Sequence, residues 1–349
     1  MTSNLRAKLQ FQREIGRGHY GVVYEALDQI HGQVAVKVFV KRDDESDFEW
    51  QQRKLELLNE GQRLKEAEHE NIVRVYQILE AEDKDAVYLV MEYCANGCLN
   101  DLYQQGPMGL RELRDVLTDA AFGIQAVHFR GMLHRDIKPS NIMIGNNLQA
   151  KVGDFGLVTN RLIYGYAKGF GYVDHLAPEI YHTGLASTKT DVWAFGMTAY
   201  RLLHGKTFFE ELPAPRELVP SGGFAQKLPW LPHVPDSWRR FVRKALHDNT
   251  DLRFQDAGDL LNGLKKLPVL PDWRVQYSPN SVIWERNTSK SRILRVQWIR
   301  HSVNKHEWEA HSIPVASGRE LKLAGSTGLQ TRREVESSLH EYLIRKTSR

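Results

Sequence analysis

The 349-residue sequence predicts an α+β chain with a β-rich lobe, a helical lobe and a small β-rich domain that ends in a helix. Two observations carry this reading. Strand-like runs come first and helix-period runs follow, the order of an α+β chain rather than an alternating α/β one. The charge balance then changes. Residues up to 272 carry −3, whereas Trp273 to Arg349 hold 14 Lys and Arg against 7 Asp and Glu, a balance of +7. The change falls at Pro268 to Asp272 and sets a boundary between domains of residues 1–270 and 271–349. The first domain divides into lobes of about 1–93 and 94–270.

Phe11 to Ile15, Val22 to Ala26 and Val34 to Phe39 are runs of β-formers divided by glycine-containing turns. Ser46 to about Glu68 is charged, with Leu55, Leu58 and Leu64 at helical spacing, and reads as one amphipathic helix capped by Ser46. Strands follow near Val73 to Leu79 and Val87 to Glu92. From Leu110 to Leu264 the pattern is helical, as in Leu113 to Arg130, Lys189 to Leu203 and Trp238 to His247. Beyond the boundary, Arg274 to Tyr277, Val282 to Arg286, Arg292 to His301 and Glu307 to Ile313 read as strands. Thr331 to Lys346 reads as a helix with Thr331 as cap and Val335, Leu339, Leu343 and Ile344 on one face.

An apolar fraction of 42% and a charged fraction of 26% belong to a globular chain, not a disordered or fibrous one. No window nears the ~18 consecutive apolar residues of a membrane helix. Met1 to Gln10 lacks the apolar core of a signal peptide, so a cytoplasmic protein with no membrane contact is expected. Cys94 and Cys98 have no second Cys/His cluster to complete a zinc site and read as small apolar residues in a reducing compartment.

Three motifs carry chemistry. Gly16-Arg17-Gly18-His19-Tyr20-Gly21-Val22-Val23 has glycines where backbone N–H groups need to approach phosphate oxygens. A strand follows these glycines, and no acidic residue is placed for a ribose, which argues against a dinucleotide loop and for a strand–loop–strand lid. Lys37 projects from the apolar run Val34 to Phe39 and needs a counter-charge or solvent. The strongest signal is His134-Arg135-Asp136-Ile137-Lys138-Pro139-Ser140-Asn141, which sets a carboxylate, a lysine and an amide in one loop. These groups suit proton acceptance, neutralisation of a migrating phosphoryl group and Mg²⁺ binding. Asp154-Phe155-Gly156 offers a second carboxylate for a metal.

With these motifs in this order, residues from about Phe11 to Leu267 resemble the eukaryotic-like (Hanks-type) serine/threonine protein kinases, those of bacteria more than any eukaryotic group. Ala177-Pro178-Glu179, Asp191-Val192-Trp193-Ala194-Phe195-Gly196 and an Arg253 placed to pair with Glu179 extend the resemblance. It implies the bilobal protein-kinase fold and transfer of the γ-phosphoryl of MgATP to Ser or Thr of protein substrates, with autophosphorylation. Mn²⁺ is the alternative metal. The resemblance places Gly16, Gly18 and Gly21 over the phosphates, Lys37 on the α- and β-phosphates, and Val23 and Ala35 about the adenine. Met91 falls at the back of the adenine pocket, and Glu92 to Cys94 form the hinge. Asp136 becomes the catalytic base, Lys138 its assistant, Asn141 and Asp154 the metal ligands. Glu60 becomes the partner of Lys37, with Glu56 and Glu66 as neighbouring rivals. Lysine two residues after Asp136 is the mark of the serine/threonine group.

Where such kinases generally carry Gly-Thr-Pro, this chain has Gly171-Tyr172-Val173, which removes a threonine that holds the catalytic Asp and Lys. That departure keeps a scaffold without turnover among the readings, beside a small-molecule kinase of the same fold. Arg135 favours a phosphorylated activation loop as a switch, but from Asp154 to Glu179 Thr159 is the one obvious Ser/Thr site, which favours a loop formed without phosphorylation. Four of the 8 tryptophans, at 273, 284, 298 and 308, lie in the basic C-terminal segment. They read as core, and the segment as a partner-docking module or a support for the large lobe, with nucleic-acid binding the lesser reading.

Overall fold

The computed structural model describes residues 9–18, 21–81, 85–154, 167–168 and 172–345. In the first lobe β1 (Gln10–Gly18), β2 (Gly21–Asp28) and β3 (Gly32–Val40) form a meander, and α1 (Asp47–Glu66) leads to β4 (Val75–Glu80) and β5 (Ala86–Glu92). The antiparallel order β1-β2-β3-β5-β4 sets β5 beside β3, with Ala35 opposite Met91 and Lys37 opposite Leu89. Ser46 caps α1 as expected. Its hydroxyl accepts from the Glu49 N–H at 3.3 Å, and the Glu49 carboxylate accepts from the Ser46 N–H at 2.9 Å, a closed capping box. The helix lies close on β4 because Gly61 faces it. A Cβ there would come within 2.2 Å of Ile78 Cδ1.

The helical lobe begins with α2 (Leu99–Gln105) and α3 (Leu110–Phe129). A small ribbon of β6 (Ile142–Ile144) and β7 (Ala150–Val152) follows, then β8 (Ala167–Lys168), α4 (Pro178–Thr183) and β9 (Leu185–Ala186), which pairs with β8. α5 (Thr188–Glu210) runs on past the Leu203 end expected from the sequence, across a kink at Gly205. It is buried almost all round, including Trp193, Phe195 and Tyr200, so it has no polar stripe to mark its limits. α6 (Pro215–Leu218), α7 (Phe224–Lys227), α8 (Asp236–Ala245) and α9 (Ala257–Leu264) complete the lobe. Among the described residues no helix is long and apolar enough to cross a membrane.

After the helical lobe, β10 (Arg274–Ser278), β11 (Ser281–Ser289), β12 (Arg292–Ser302), β13 (Lys305–Pro314) and β14 (Leu321–Gly325) form an antiparallel sheet in sequence order, closed by α10 (Arg332–Arg345). β14 is a strand the sequence reading lacked, because it is a short exposed edge whose alternation spans only Leu321-Lys322-Leu323. Trp273, Trp284, Trp298 and Trp308 are all buried in one core with Val335, Leu339 and Leu343. They are packing residues, and none is presented for stacking on bases. The sheet docks on the helical lobe through Tyr277, whose ring meets Phe208 edge-on at 5.5 Å. The Tyr277 hydroxyl donates to Glu211 Oε2 at 2.6 Å and accepts from Arg300 at 2.8 Å.

Candidate active site

The loop between α3 and β6 is held from below by α5. The buried Asp191 carboxylate accepts from the backbone N–H groups of His134 and Arg135 at 2.9 and 2.8 Å, and from His128 Nε2 at 2.8 Å. Burial works against its charge, but these donors outweigh it and hold Asp191 below the usual carboxylate range. Arg135 can then adopt a left-handed backbone, φ 66°, a conformation that a non-glycine residue keeps only when its surroundings enforce it. His134 Nδ1 accepts from the Asp136 N–H at 3.3 Å, which makes Nε2 the donor to the Gly153 carbonyl at 2.9 Å. The loop is thereby tied to the segment bearing Asp154.

Asp136 is the centre of this arrangement. Its Oδ2 accepts from Lys138 Nζ at 2.7 Å and from Asn141 Nδ2 at 2.9 Å, and its Oδ1 accepts from the Tyr172 backbone N–H at 3.0 Å. Asn141 also donates to the Asp136 carbonyl at 2.8 Å. With both Nδ2 protons engaged, Oδ1 is the end of this amide able to bind a cation. Lys138 Nζ lies 5.3 Å from the centroid of the Tyr172 ring. Tyr172 therefore contacts both groups that the absent threonine was expected to hold, by its backbone N–H and its ring rather than by a hydroxyl.

Across the cleft, Lys37 is buried on β3 and pairs with Asp154. Burial opposes ionisation of Asp154, but Lys37, Lys138 and His134 outweigh it and lower its pKa. Oxygen donors from an ionised Asp154 and from Asn141 are the set that Mg²⁺ or Mn²⁺ prefers. The backbone of Glu60 lies on α1, but its side chain falls outside the described residues. Lys37 therefore has Asp154 as its described partner.

Gly16 and Gly18 stand in β1 opposite Val23 and Gly21. Gly21 meets a demand of the sheet itself: a Cβ there would come within 2.4 Å of the Val38 carbonyl oxygen. His19 and Tyr20 at the tip lie outside the described residues, as do Phe155, Gly156, Thr159 and most of the Gly- and Tyr-rich stretch before Tyr172. Val23, Ala35, Met91 and Cys94 share one apolar cluster. Burial and the neighbouring Glu92 push the Cys94 thiol up to about 11, the environment of a small apolar residue. Lys151 Nζ donates to Glu92 Oε2 at 2.9 Å, anchoring the end of β5 to β7.

Sequence reasoning missed three participants. Met143 on β6 joins the cluster of Val23 and Ala35, and its apolar run gives no sign of that. His175 Nδ1 donates to the Ile137 carbonyl at 2.8 Å, and its Nε2 accepts from Arg201 at 3.1 Å. Neither residue lies in a motif. Burial beside Arg201 lowers the His175 pKa to about 3 and keeps its ring neutral. The expected pair of Glu179 and Arg253 is present as a two-pronged bridge of 2.8 and 3.1 Å.

Comparison with known proteins agrees with this architecture. The protein kinase domain model matches residues 9–262. The chain is 31% identical over 270 residues to the serine/threonine-protein kinase PrkC of Bacillus subtilis, covering 75% of this chain and 40% of that protein. It is 31% identical over 289 residues to the serine/threonine-protein kinase TOS3 of Saccharomyces cerevisiae, covering 75% and 50%. With the human NUAK family SNF1-like kinase 1 it shares 27% over 258 residues, 72% and 37% of the two chains. The chain thus spans half or less of the length of these relatives. It belongs to the protein kinase domain family, a family that uses ATP and a divalent metal and acts on proteins.

Proposed function

We propose that the chain is an active serine/threonine protein kinase that transfers the γ-phosphoryl of MgATP to Ser or Thr hydroxyls of proteins, itself included. The observation that carries this reading is the cluster on Asp136, with Lys138 at 2.7 Å, Asn141 at 2.9 Å and the Tyr172 N–H at 3.0 Å. Asp136 orients the substrate hydroxyl and accepts its proton. Lys138 offsets charge on the group in transit, and Lys37 holds the α- and β-phosphates with Glu60 as its second partner. Gly16, Gly18 and Gly21 cover the phosphates, and Val23, Ala35, Met91 and Glu92 to Cys94 receive the adenine. Asn141 and Asp154 hold Mg²⁺, which when bound neutralises phosphate charge. Positioning and electrostatics carry the rate. We assign these parts to a domain of residues 1–270 and treat 271–349 as a separate domain that supports the helical lobe or docks a partner.

The test is label transfer from γ-labelled ATP with Mg²⁺, native chain against Asp136→Asn. Loss of a general base lowers turnover by about 10²- to 10⁴-fold, with ATP binding retained. Label on Ser or Thr that disappears in the variant supports the reading. Bound ATP without transfer from the native chain would favour a scaffold or a small-molecule acceptor instead.

A further inference from the structure

A groove of about 430 Å³ opens beside Asp136 on the side of Tyr172, between α2 and the C-terminal half of α5. Its charged lining is Asp174, Arg201, Lys206, Glu210 and Arg216. Four of these are matched: Arg216 with Asp174 at 3.5 Å and Lys206 with Glu210 at 3.7 Å. Arg201 is not. Its guanidinium lies 4.6 Å from the Tyr103 ring centroid, 4.7 Å from that of Phe209 and 5.7 Å from that of Tyr172. Its polar contact is with the neutral His175, and its Nε is buried with no acceptor. No carboxylate among the described residues pairs with it, and residues 155–171 contain Arg161 and Lys168 but no Asp or Glu.

A guanidinium held among aromatic rings without a counter-anion is a site that an incoming anion completes. It presents a planar fork suited to a carboxylate or a phosphate monoester, and the rings around it exclude the water that would weaken the pair. The groove adjoins the reacting groups. Lys138 lies 5.3 Å and Arg201 5.7 Å from the same Tyr172 ring, so the two cations are no more than roughly three extended residues apart.

We infer that Arg201 makes this kinase select acidic substrates, by taking an anionic side chain within about three residues of the phosphoacceptor. The inference rests on the kinase reading above. A residue that merely packed α5 against His175 would be indifferent to the charge of a peptide, and this difference makes the test.

Peptides of one sequence are compared with Glu, phosphoserine, Gln or Arg flanking the acceptor, each in a reactive Ser form and an inert Ala form. Binding of the Ala forms in the presence of a non-hydrolysable ATP analogue, followed by fluorescence anisotropy, reads selectivity without turnover. The kcat/KM ratios of the Ser forms read it with turnover. The native chain is expected to prefer Glu over Gln by roughly tenfold, the scale of one charge-assisted contact, with the preference shrinking as salt rises. Arg201→Lys keeps the preference, Arg201→Gln abolishes it and Arg201→Glu turns it toward Arg. Each ratio is internal to one protein, and the salt dependence of the native chain stands if a variant does not fold. Equal preference for phosphoserine and Glu marks a general anion site, whereas phosphoserine far above Glu marks a site for an already phosphorylated substrate. Flat or basic preference in the native chain, or an unchanged ratio in Arg201→Glu, overturns the inference and leaves the kinase reading intact. No label on any peptide or on the chain itself, despite selective binding, overturns the kinase reading and leaves an anion-selective groove.

Discussion

The kinase domain and the C-terminal sheet bury different things. The first hides Lys37, Asp136, Asp191, His175, His204, His233 and Arg253 in its interior. The second buries four tryptophans and a helix face of Val335, Leu339 and Leu343, and among the described residues His306 is its one buried polar side chain. Burying ionisable groups costs stability unless each finds a partner. A sheet that needed only to fold has no reason to carry a lysine such as Lys37 in the middle of β3. The C-terminal sheet shows the alternative, a core assembled from area alone. Both regions bury tryptophan, but buried charge is concentrated in the kinase domain, where the candidate site lies.

Acid should expose this difference most strongly. Burial lowers the pKa of His175, His204 and His233 from 6.5 to about 3. Between those values the unfolded chain binds three protons that the folded lobe refuses, so stability falls as pH drops from 6.5 toward 3 and is regained on return. At pH 4.5 the loss is about 3 kcal/mol per histidine. Hydrogen exchange across this range should show the helical lobe opening before the C-terminal sheet. Sheet amides that lose protection first would break the contrast. The next largest effect belongs to the other region. Trp298→Ala should destabilise the sheet by about 3–5 kcal/mol, read by thermal unfolding, while the folded fraction transfers phosphoryl to a peptide at the native rate. A matching fall in turnover would mean that the sheet takes part in catalysis.

The same division explains what the sequence made legible. Lys37, Asp136, Lys138, Asn141 and Asp154 stand out because phosphate chemistry confines charged and amide side chains to short, strictly spaced motifs. Their meeting in one cleft depends on contacts between distant segments, as when Asp191 on α5 fixes His134 and Arg135. Arg201 and His175 were illegible because their roles come from the packing of α5 against α2 and the catalytic loop. Tyr172 looked like a loss because the residue type was wrong, yet the contact to Asp136 is made by a backbone N–H that every residue but proline carries. Strand β14 was hidden for the opposite reason. It is a five-residue edge strand whose Leu321-Lys322-Leu323 alternation is too short to stand out, and its leucines are exposed rather than set in the core.

Lys37→Met sharpens the contrast from the catalytic side. Transfer should fall by about 10²-fold or more, while the melting temperature falls modestly, because the substitution leaves the partly exposed Asp154 carboxylate without its cation. A large loss of stability would instead make Lys37 a structural residue. The smallest effect lies where the two regions meet. Tyr277→Phe keeps the edge-on contact with Phe208 but removes the hydroxyl between Glu211 and Arg300, which already stand 3.6 Å apart and can pair directly. Burial and the hydrogen bond to Glu211 push the Tyr277 hydroxyl up to about 12, so it remains a donor throughout the working pH range. Its removal should weaken docking by about 1 kcal/mol. Calorimetry reads this directly. If the sheet is a support, the native chain unfolds in one transition that Tyr277→Phe begins to split. If the sheet is an independent module, the native chain already shows two transitions, and the substitution moves neither.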